Sequence, residues 1–246
     1  MGTIEDKLTL EVIAHIRSDF PAKFGIPRQS GLADTKAEIL FEPKYRNPEA
    51  FRGLEEFSHI WLVWGFSKCI REEWSPTVRP PRLGGNQRVG VFATRSPFRP
   101  NPLGLSCVEL ERIEKREGKG IVLHVRGADL MDGTPIYDVK PYLPYVDCCE
   151  EASGGFAERM KGYGLSVEIP KVWMKIVPQE HREVLAQILA QDPRPSYQDD
   201  SERVYGMEYA GMEVRFQVAG NVLRVCEIKM SRKGENSSCI IPCRGI

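Results

Sequence analysis

The chain has 246 residues, enough for one large domain or two modest ones, each able to bury a core without metal or disulfide staples. No apolar run approaches the roughly 18 residues of a membrane span, and Met1 to Leu10 lacks the basic-then-apolar pattern of a secretory leader, so a cytosolic protein is expected. Formal net charge is zero, which gives no support to a nucleic-acid partner.

Leu8 to Arg17 alternates, with Leu8, Leu10, Val12, Ala14 and Ile16 on one side, and this predicts a half-buried strand. Asn47, Pro48 and Glu49 supply an N-cap, a first-turn proline and an acid near the positive helix end; Ala50, Leu54 and Phe57 follow at helical spacing. A short helix is expected there. Further strands are expected at Ile60–Phe66, Val89–Thr94, Ser106–Ile113, Ile121–Val125 and Thr134–Lys140. A dinucleotide-binding α/β fold would alternate strands with long helices and open on GxGxxG, and neither is present. Short strands at close spacing suggest a closed barrel instead.

Between Val146 and Gly164 the sequence turns to glycine, acids and small residues, which reads as a linker. A helix beginning at Pro178 carries the apolar stripe Val184, Leu185, Ile188, Leu189 and stops before Asp192-Pro193-Arg194-Pro195. Met212–Val218 and Val222–Ile228, joined at Gly220-Asn221, read as a β-hairpin. The expected fold is therefore mostly β: a closed barrel over 1–146, a small α+β domain over 147–230, and a frayed tail over 231–246.

From Trp74 to Val108 there is no acidic residue, while Arg79, Arg82, Arg88, Arg95 and Arg99 all fall there. Either this positive field takes phosphates or a substrate carboxylate, or acids elsewhere in the fold balance it. The prolines and glycines from Arg79 to Asn86 and from Gly90 to Ser106 hold the arginines on a shaped, stiff loop. In the strand after Asp132-Gly133, alternation places Ile136, Asp138 and Lys140 on one face. Asp138 is then either a general base tuned by Lys140 or half of a structural ion pair.

Metal chemistry is not expected. The seven cysteines are irregularly spaced, Cys148 and Cys149 are adjacent, and after Cys239 and Cys243 no third ligand arrives. His15, His59, His124 and His181 stand at no ligand spacing and precede no nucleophile elbow, so they read as surface or satisfied core residues.

Taken together, several segments resemble the TrmO family, also described as TsaA-like or YaeB-like. They are Ile26 to Gly31, Arg52 to Trp61, Arg79 to Asn86, Gly90 to Ser106, Asp129 to Tyr145 and Leu189 to Tyr197. The resemblance implies a dimeric β-barrel methyltransferase that holds S-adenosylmethionine near the subunit interface. It also implies a substrate, N6-threonylcarbamoyladenosine beside the tRNA anticodon, methylated on N6. Carried over by motif, the cofactor meets Pro27, Arg28, Gln29, Arg95, Leu105, Asp129, Leu130, Met131 and Asp132. Ser67 and Lys68 stand where the bacterial pattern often has His-Gln, so backbone contacts carry over there and side-chain contacts do not. Arg79, Arg82, Arg99, Arg194 and Tyr197 are the implied tRNA contacts, the alternative being a helix stop whose Arg194 pairs with a nearby acid such as Asp192 and whose Tyr197 packs on the barrel; Asp138 and Tyr197 are the candidate bases.

Two other readings fit the same residues. One is a non-catalytic RNA-binding barrel that stacks bases on Phe98 or Tyr145, and the other is a small-molecule methyltransferase on the same barrel.

Overall fold

The structure, a computed structural model, describes residues 8–68, 73–80, 87–160, 162–194 and 200–231. In chain order its first eight strands are β1 (Ala14–Ser18), β2 (Lys36–Phe41), β3 (His59–Gly65), β4 (Thr77–Val78), β5 (Val89–Gly90), β6 (Leu103–Arg116), β7 (Gly120–Arg126) and β8 (Pro135–Pro141). Six of them close an antiparallel barrel in the order β1-β2-β7-β6-β3-β8, while β4 and β5 form a separate two-stranded ribbon.

Alternation explains the barrel core. Ala14 and Ile16 of β1, Ile39 of β2, Ile60 and Leu62 of β3, and Leu123 and Val125 of β7 point inward and are buried. β6 is long enough to pair with β3 at one end and β7 at the other. Gly104 on β6 is required by its neighbour, because a Cβ there would lie 2.2 Å from the Trp64 ring.

The second sheet has the order β10-β11-β12-β9, built from β9 (Ser166–Glu168), β10 (Tyr205–Tyr209), β11 (Met212–Ala219) and β12 (Val222–Met230). β9 runs parallel to β12 and the other pairs are antiparallel. The short helices α1 (Pro144–Asp147) and α2 (Lys171–Met174) precede α3 (Arg182–Ala190), whose Val184, Leu185, Ile188 and Leu189 are the buried stripe expected from their spacing. The segment between β1 and β2 leaves the barrel to join this second core: Phe20 packs on Tyr209 at 5.3 Å between ring centroids, and Phe24 stacks on Phe216.

Four local expectations need correction. Leu8 and Leu10 are exposed and β1 begins only at Ala14, since residues 8–13 are in no strand. The Asn47 cap does accept the Glu49 N–H at 3.1 Å, but Gly53, at φ +85°, splits the helix into two 3-10 turns, and Phe51 is the residue buried. The strand from Val89 stops after Gly90, and Val91–Ala93 is a 3-10 turn. On β8 the pairing passes from Val63↔Asp138 to Trp64↔Ile136, leaving Tyr137 as an extra residue. This bulge turns Ile136 and Val139 to the core while Lys140 is exposed, so Ile136 does not share a face with Asp138 and Lys140.

Candidate active site

Hydrogen bonds gather three separate stretches at one place on the barrel. The loop after β7 is fixed first, because the Thr35 hydroxyl donates to the Ala128 carbonyl at 2.6 Å and the Ser18 hydroxyl to the Leu130 carbonyl at 2.8 Å. The loop before β2 is then laid against it by the Gly31 N–H, which donates to the Gly127 carbonyl at 2.9 Å. A side chain at Gly127 would approach that Gly31 nitrogen to 3.2 Å, and its φ of +79° suits glycine.

Asp129 lies at the junction. Its Oδ1 accepts the Ser106 hydroxyl at 2.6 Å, and the same hydroxyl oxygen accepts the Trp64 indole N–H at 2.9 Å. Burial pushes the Asp129 carboxyl above the ordinary aspartate range, against the pull of Ser106, of the Asp129 and Ser30 amides, and of the Arg95 guanidinium. Arg95 reaches across from the loop after β5 and donates to Gln29 Oε1, and Gln29 Nε2 donates to the Arg28 carbonyl. Beside Ser106, Leu105 turns outward and is 55% exposed, which leaves an apolar wall open to a ligand.

A family profile described as the tRNA-methyltransferase O N-terminal domain matches residues 15–148, and one for the TrmO C-terminal domain matches residues 165–231. The chain belongs to the TrmO family. A tRNA (adenine(37)-N6)-methyltransferase of Escherichia coli (strain K12) is 40% identical over 217 residues, covering 85% of this chain and 92% of its own length. One from Eikenella corrodens is 48% identical over 172 residues, covering 66% of this chain and 91% of its own length. A crystal structure of TrmO from P. aeruginosa superposes with a TM-score of 0.75 at 32% identity, covering 94% of this chain and all of its own.

Of the residues the TrmO resemblance assigned to the cofactor, Gln29, Arg95 and Asp129 are drawn together at this junction, while Leu105 adjoins Ser106 on β6 with its side chain on the outer face. Pro27 is buried just before it, and the Arg28 guanidinium turns away, donating to the carbonyls of Asp192 at 2.8 Å and Arg194 at 3.3 Å. Leu130 is 1% exposed and its side chain belongs to the barrel core, so it offers a ligand backbone only. Met131 is partly exposed, and its carbonyl accepts the Thr134 hydroxyl. Asp132 is turned toward β1, accepting the Ser18 N–H at 3.1 Å and facing Arg17 at 3.5 Å. Ser67 and Lys68 are exposed in the turn after β3.

Among the other assigned residues, Asp138 Oδ2 lies 2.9 Å from Lys140 and its Oδ1 accepts the Val139 N–H. The Lys140 contact that both readings of Asp138 require is therefore present, on an exposed face. Arg79 is exposed, and Arg99 donates to the Thr94 carbonyl at 3.2 Å. Arg82 and Tyr197 lie outside the described residues.

Arg194 forms the pair with Asp192 that stood as the alternative to an open RNA contact. It is 9% exposed, and its Nε and Nη2 close on the two Asp192 oxygens at 2.8 and 3.0 Å. Asp192 also accepts the Tyr163 hydroxyl at 2.9 Å; burial would raise its carboxyl, but Arg194 and Tyr163 outweigh it and hold it low. The proline-framed arginine therefore builds the turn that Arg28 grips.

Sequence reasoning passed over Ser106 and Trp64 as site residues. A serine in a strand carries no signal of its own; only its 1% exposure and its two partners single it out.

Proposed function

We propose that this chain is a tRNA (adenine(37)-N6)-methyltransferase that takes its methyl group from S-adenosylmethionine. The observation that carries the reading is the approach of Arg95, held by Gln29, to Asp129, held by Ser106, with the exposed Leu105 next to Ser106 on the same strand. These residues fit the cofactor chemically. Its carboxylate calls for a guanidinium, its ribose or amine for an acidic acceptor, and its adenine for an apolar wall.

When bound, the cofactor supplies an electrophilic methyl group on a sulfonium. Arg95 would pair its carboxylate, Asp129 would accept from its ribose or amine, and Leu105 and Met131 would flank its base. The accepting N6 has its lone pair delocalised into the purine and, in a threonylcarbamoylated adenosine, into the carbamoyl group. The protein must therefore remove a proton and hold the nitrogen in line with the methyl group. This reading assigns removal of the proton either to Asp138, beside Lys140, or to Tyr197 as a tyrosinate or through a relayed water.

The reading extends to a division of labour, with 1–146 holding the cofactor and 147–230 presenting tRNA. It also extends to a homodimer with the cofactor near the subunit contact, and to a cytoplasmic setting. The exposed Tyr145 and Val146 at the end of the barrel support a subunit contact. No helix among the described residues is long and apolar enough to cross a membrane.

The test is methyl transfer to total tRNA with and without threonylcarbamoyl groups. Transfer to the modified pool alone is expected. RNA binding that is strongly salt-dependent, with neither transfer nor cofactor affinity, would leave a non-catalytic RNA-binding barrel in its place.

A further inference from the structure

The β4–β5 ribbon stands outside the barrel ladder and is used by neither the cofactor junction nor the second sheet. It pairs Thr77 with Gly90 and Val78 with Val89, and the Val91 N–H adds a bond to the Pro76 carbonyl at 3.0 Å. Just beyond that bond, the rings of Trp74 and Phe92 stack at 6.2 Å between centroids and 28° between planes. Neither ring is covered: Trp74 is 49% exposed and Phe92 73%. Single exposed apolar residues are ordinary, but two stacked aromatic rings left in water are a prepared surface.

Glu73 precedes Trp74, but along the ribbon itself the charge is of one sign. Arg79 and Arg88 are exposed and adjoin the last rung of the ribbon, Val78↔Val89, on either strand. Among the described residues no ion pair reaches Arg79, Arg88 or Arg99, whereas Arg116, Arg126, Arg194 and Arg215 each hold a carboxylate. The sequence from Trp74 to Val108 contains no acid to neutralise them. Like charges on neighbouring strands repel, so an anionic partner relieves a cost that the free chain carries.

Aromatic faces beside unneutralised guanidiniums fit one class of ligand above others. A single-stranded nucleic acid offers flat bases to the rings and phosphates to the arginines. A second copy of this chain fits poorly, because a two-fold contact would bring the same basic surface against itself. We propose that the β4–β5 ribbon is an RNA platform, on which Trp74 and Phe92 stack an unpaired base of the substrate while Arg79 and Arg88 take the adjoining phosphates. This rests on the tRNA reading above and adds to it the element that holds the unpaired loop.

The experiment uses the full-length chain and tRNA. Trp74→Ala with Phe92→Ala should weaken tRNA binding by roughly 5- to 150-fold, the range for losing a base stack, and raise KM with kcat and cofactor affinity little changed. Trp74→Phe should restore most of the affinity while removing the quenching of tryptophan fluorescence that RNA causes. Replacing Arg79 and Arg88 by alanine should lower the slope of log K against log salt by about 1.4. Unchanged tRNA affinity in the aromatic double variant, with methyl transfer intact, would overturn the platform and leave the methyltransferase reading standing. A change in oligomeric state with unchanged RNA affinity would assign the rings to a subunit contact and overturn it equally. Absence of transfer by the unsubstituted protein would remove both.

Discussion

Replacing Ser106 by alanine removes one oxygen that serves two buried partners. It leaves the Trp64 indole N–H without the acceptor it has at 2.9 Å, and it takes from Asp129 a donor at 2.6 Å. An orphaned buried donor costs about 1 to 3 kcal/mol and a hydrogen bond to a charged group contributes about 1.5 to 3 kcal/mol, though the two overlap because Asp129 can turn to other donors. A loss of roughly 2 to 4 kcal/mol is therefore expected, visible as a fall in Tm of roughly 5 to 15 °C. The second consequence is electrostatic. Burial already raises the Asp129 carboxyl and Ser106 opposes that, so Ser106→Ala raises it further. If the ionised Asp129 holds the cofactor, affinity rises with pH as the carboxyl loses its proton, and in the variant this rise must move to higher pH. Calorimetric titration of S-adenosylmethionine across a pH series reads the shift directly. A variant that is destabilised yet binds cofactor with an unchanged pH profile would confine Ser106 to packing and refute the Asp129 assignment.

Arg95→Lys keeps the charge and loses the planar fork, so cofactor affinity should fall by about 1 to 3 kcal/mol in the same titration; an unchanged cofactor affinity with weakened tRNA binding would reassign Arg95 to the RNA. Arg194→Ala should lower stability by about 3 to 5 kcal/mol in denaturant unfolding, since it strands a carboxylate in a pair whose side chains are 9% and 11% exposed. Intact unfolding with lost methyl transfer would restore Arg194 as an RNA contact. Arg116 and then His124 hold the Glu114 carboxyl at about 2, below its ordinary 4.5, and Arg116 lowers Glu38 too. Their folded-state pKa values lie below the unfolded ones, so the stability they give is full above about pH 4.5 and is lost as pH falls toward 2. Glu114→Gln should flatten that acid limb in urea titrations, and an unaltered limb would count against the cluster.

What the sequence disclosed follows how local each signal is. β3 and β11 were legible because their inward residues alternate without interruption, β7 because it is a short apolar run bounded by Gly120, and β12 because Gly220-Asn221 ties it to β11. β2 has the same alternation in Ala37, Ile39 and Phe41, but Leu40 on the outer face blurred it. β10 was hidden by Gly206 and by tyrosines that read equally well as surface. Alternation at Leu8 and Leu10 misled for the opposite reason: a periodic stretch becomes a strand only where a partner edge waits, and β2 ends opposite Ala14. At the site, family motifs led to Asp129, Arg95 and Gln29, and sequence proximity offered Asp192 as a partner for Arg194, yet no pattern in the chain foretold that the same turn would claim Arg28. That outcome depends on the second sheet being folded against the β1–β2 segment, which is a long-range fact.

The excursion of that segment makes the polypeptide hard to divide. Phe20, Phe24 and Ile26 come from the first quarter of the chain but are packed with Tyr209, Phe216 and Met207, and the Ala210 N–H donates to the Asp19 carbonyl at 2.9 Å. A protease cut between Cys149 and Gly154 severs the covalent path between barrel and second sheet without touching this packing. The nicked protein should still elute as a single particle and melt in a single transition, because separating the pieces would bare aromatic surface on both. Expressed alone, residues 1–146 would carry that bare surface from the outset, and aggregation is the expected fate of the isolated barrel.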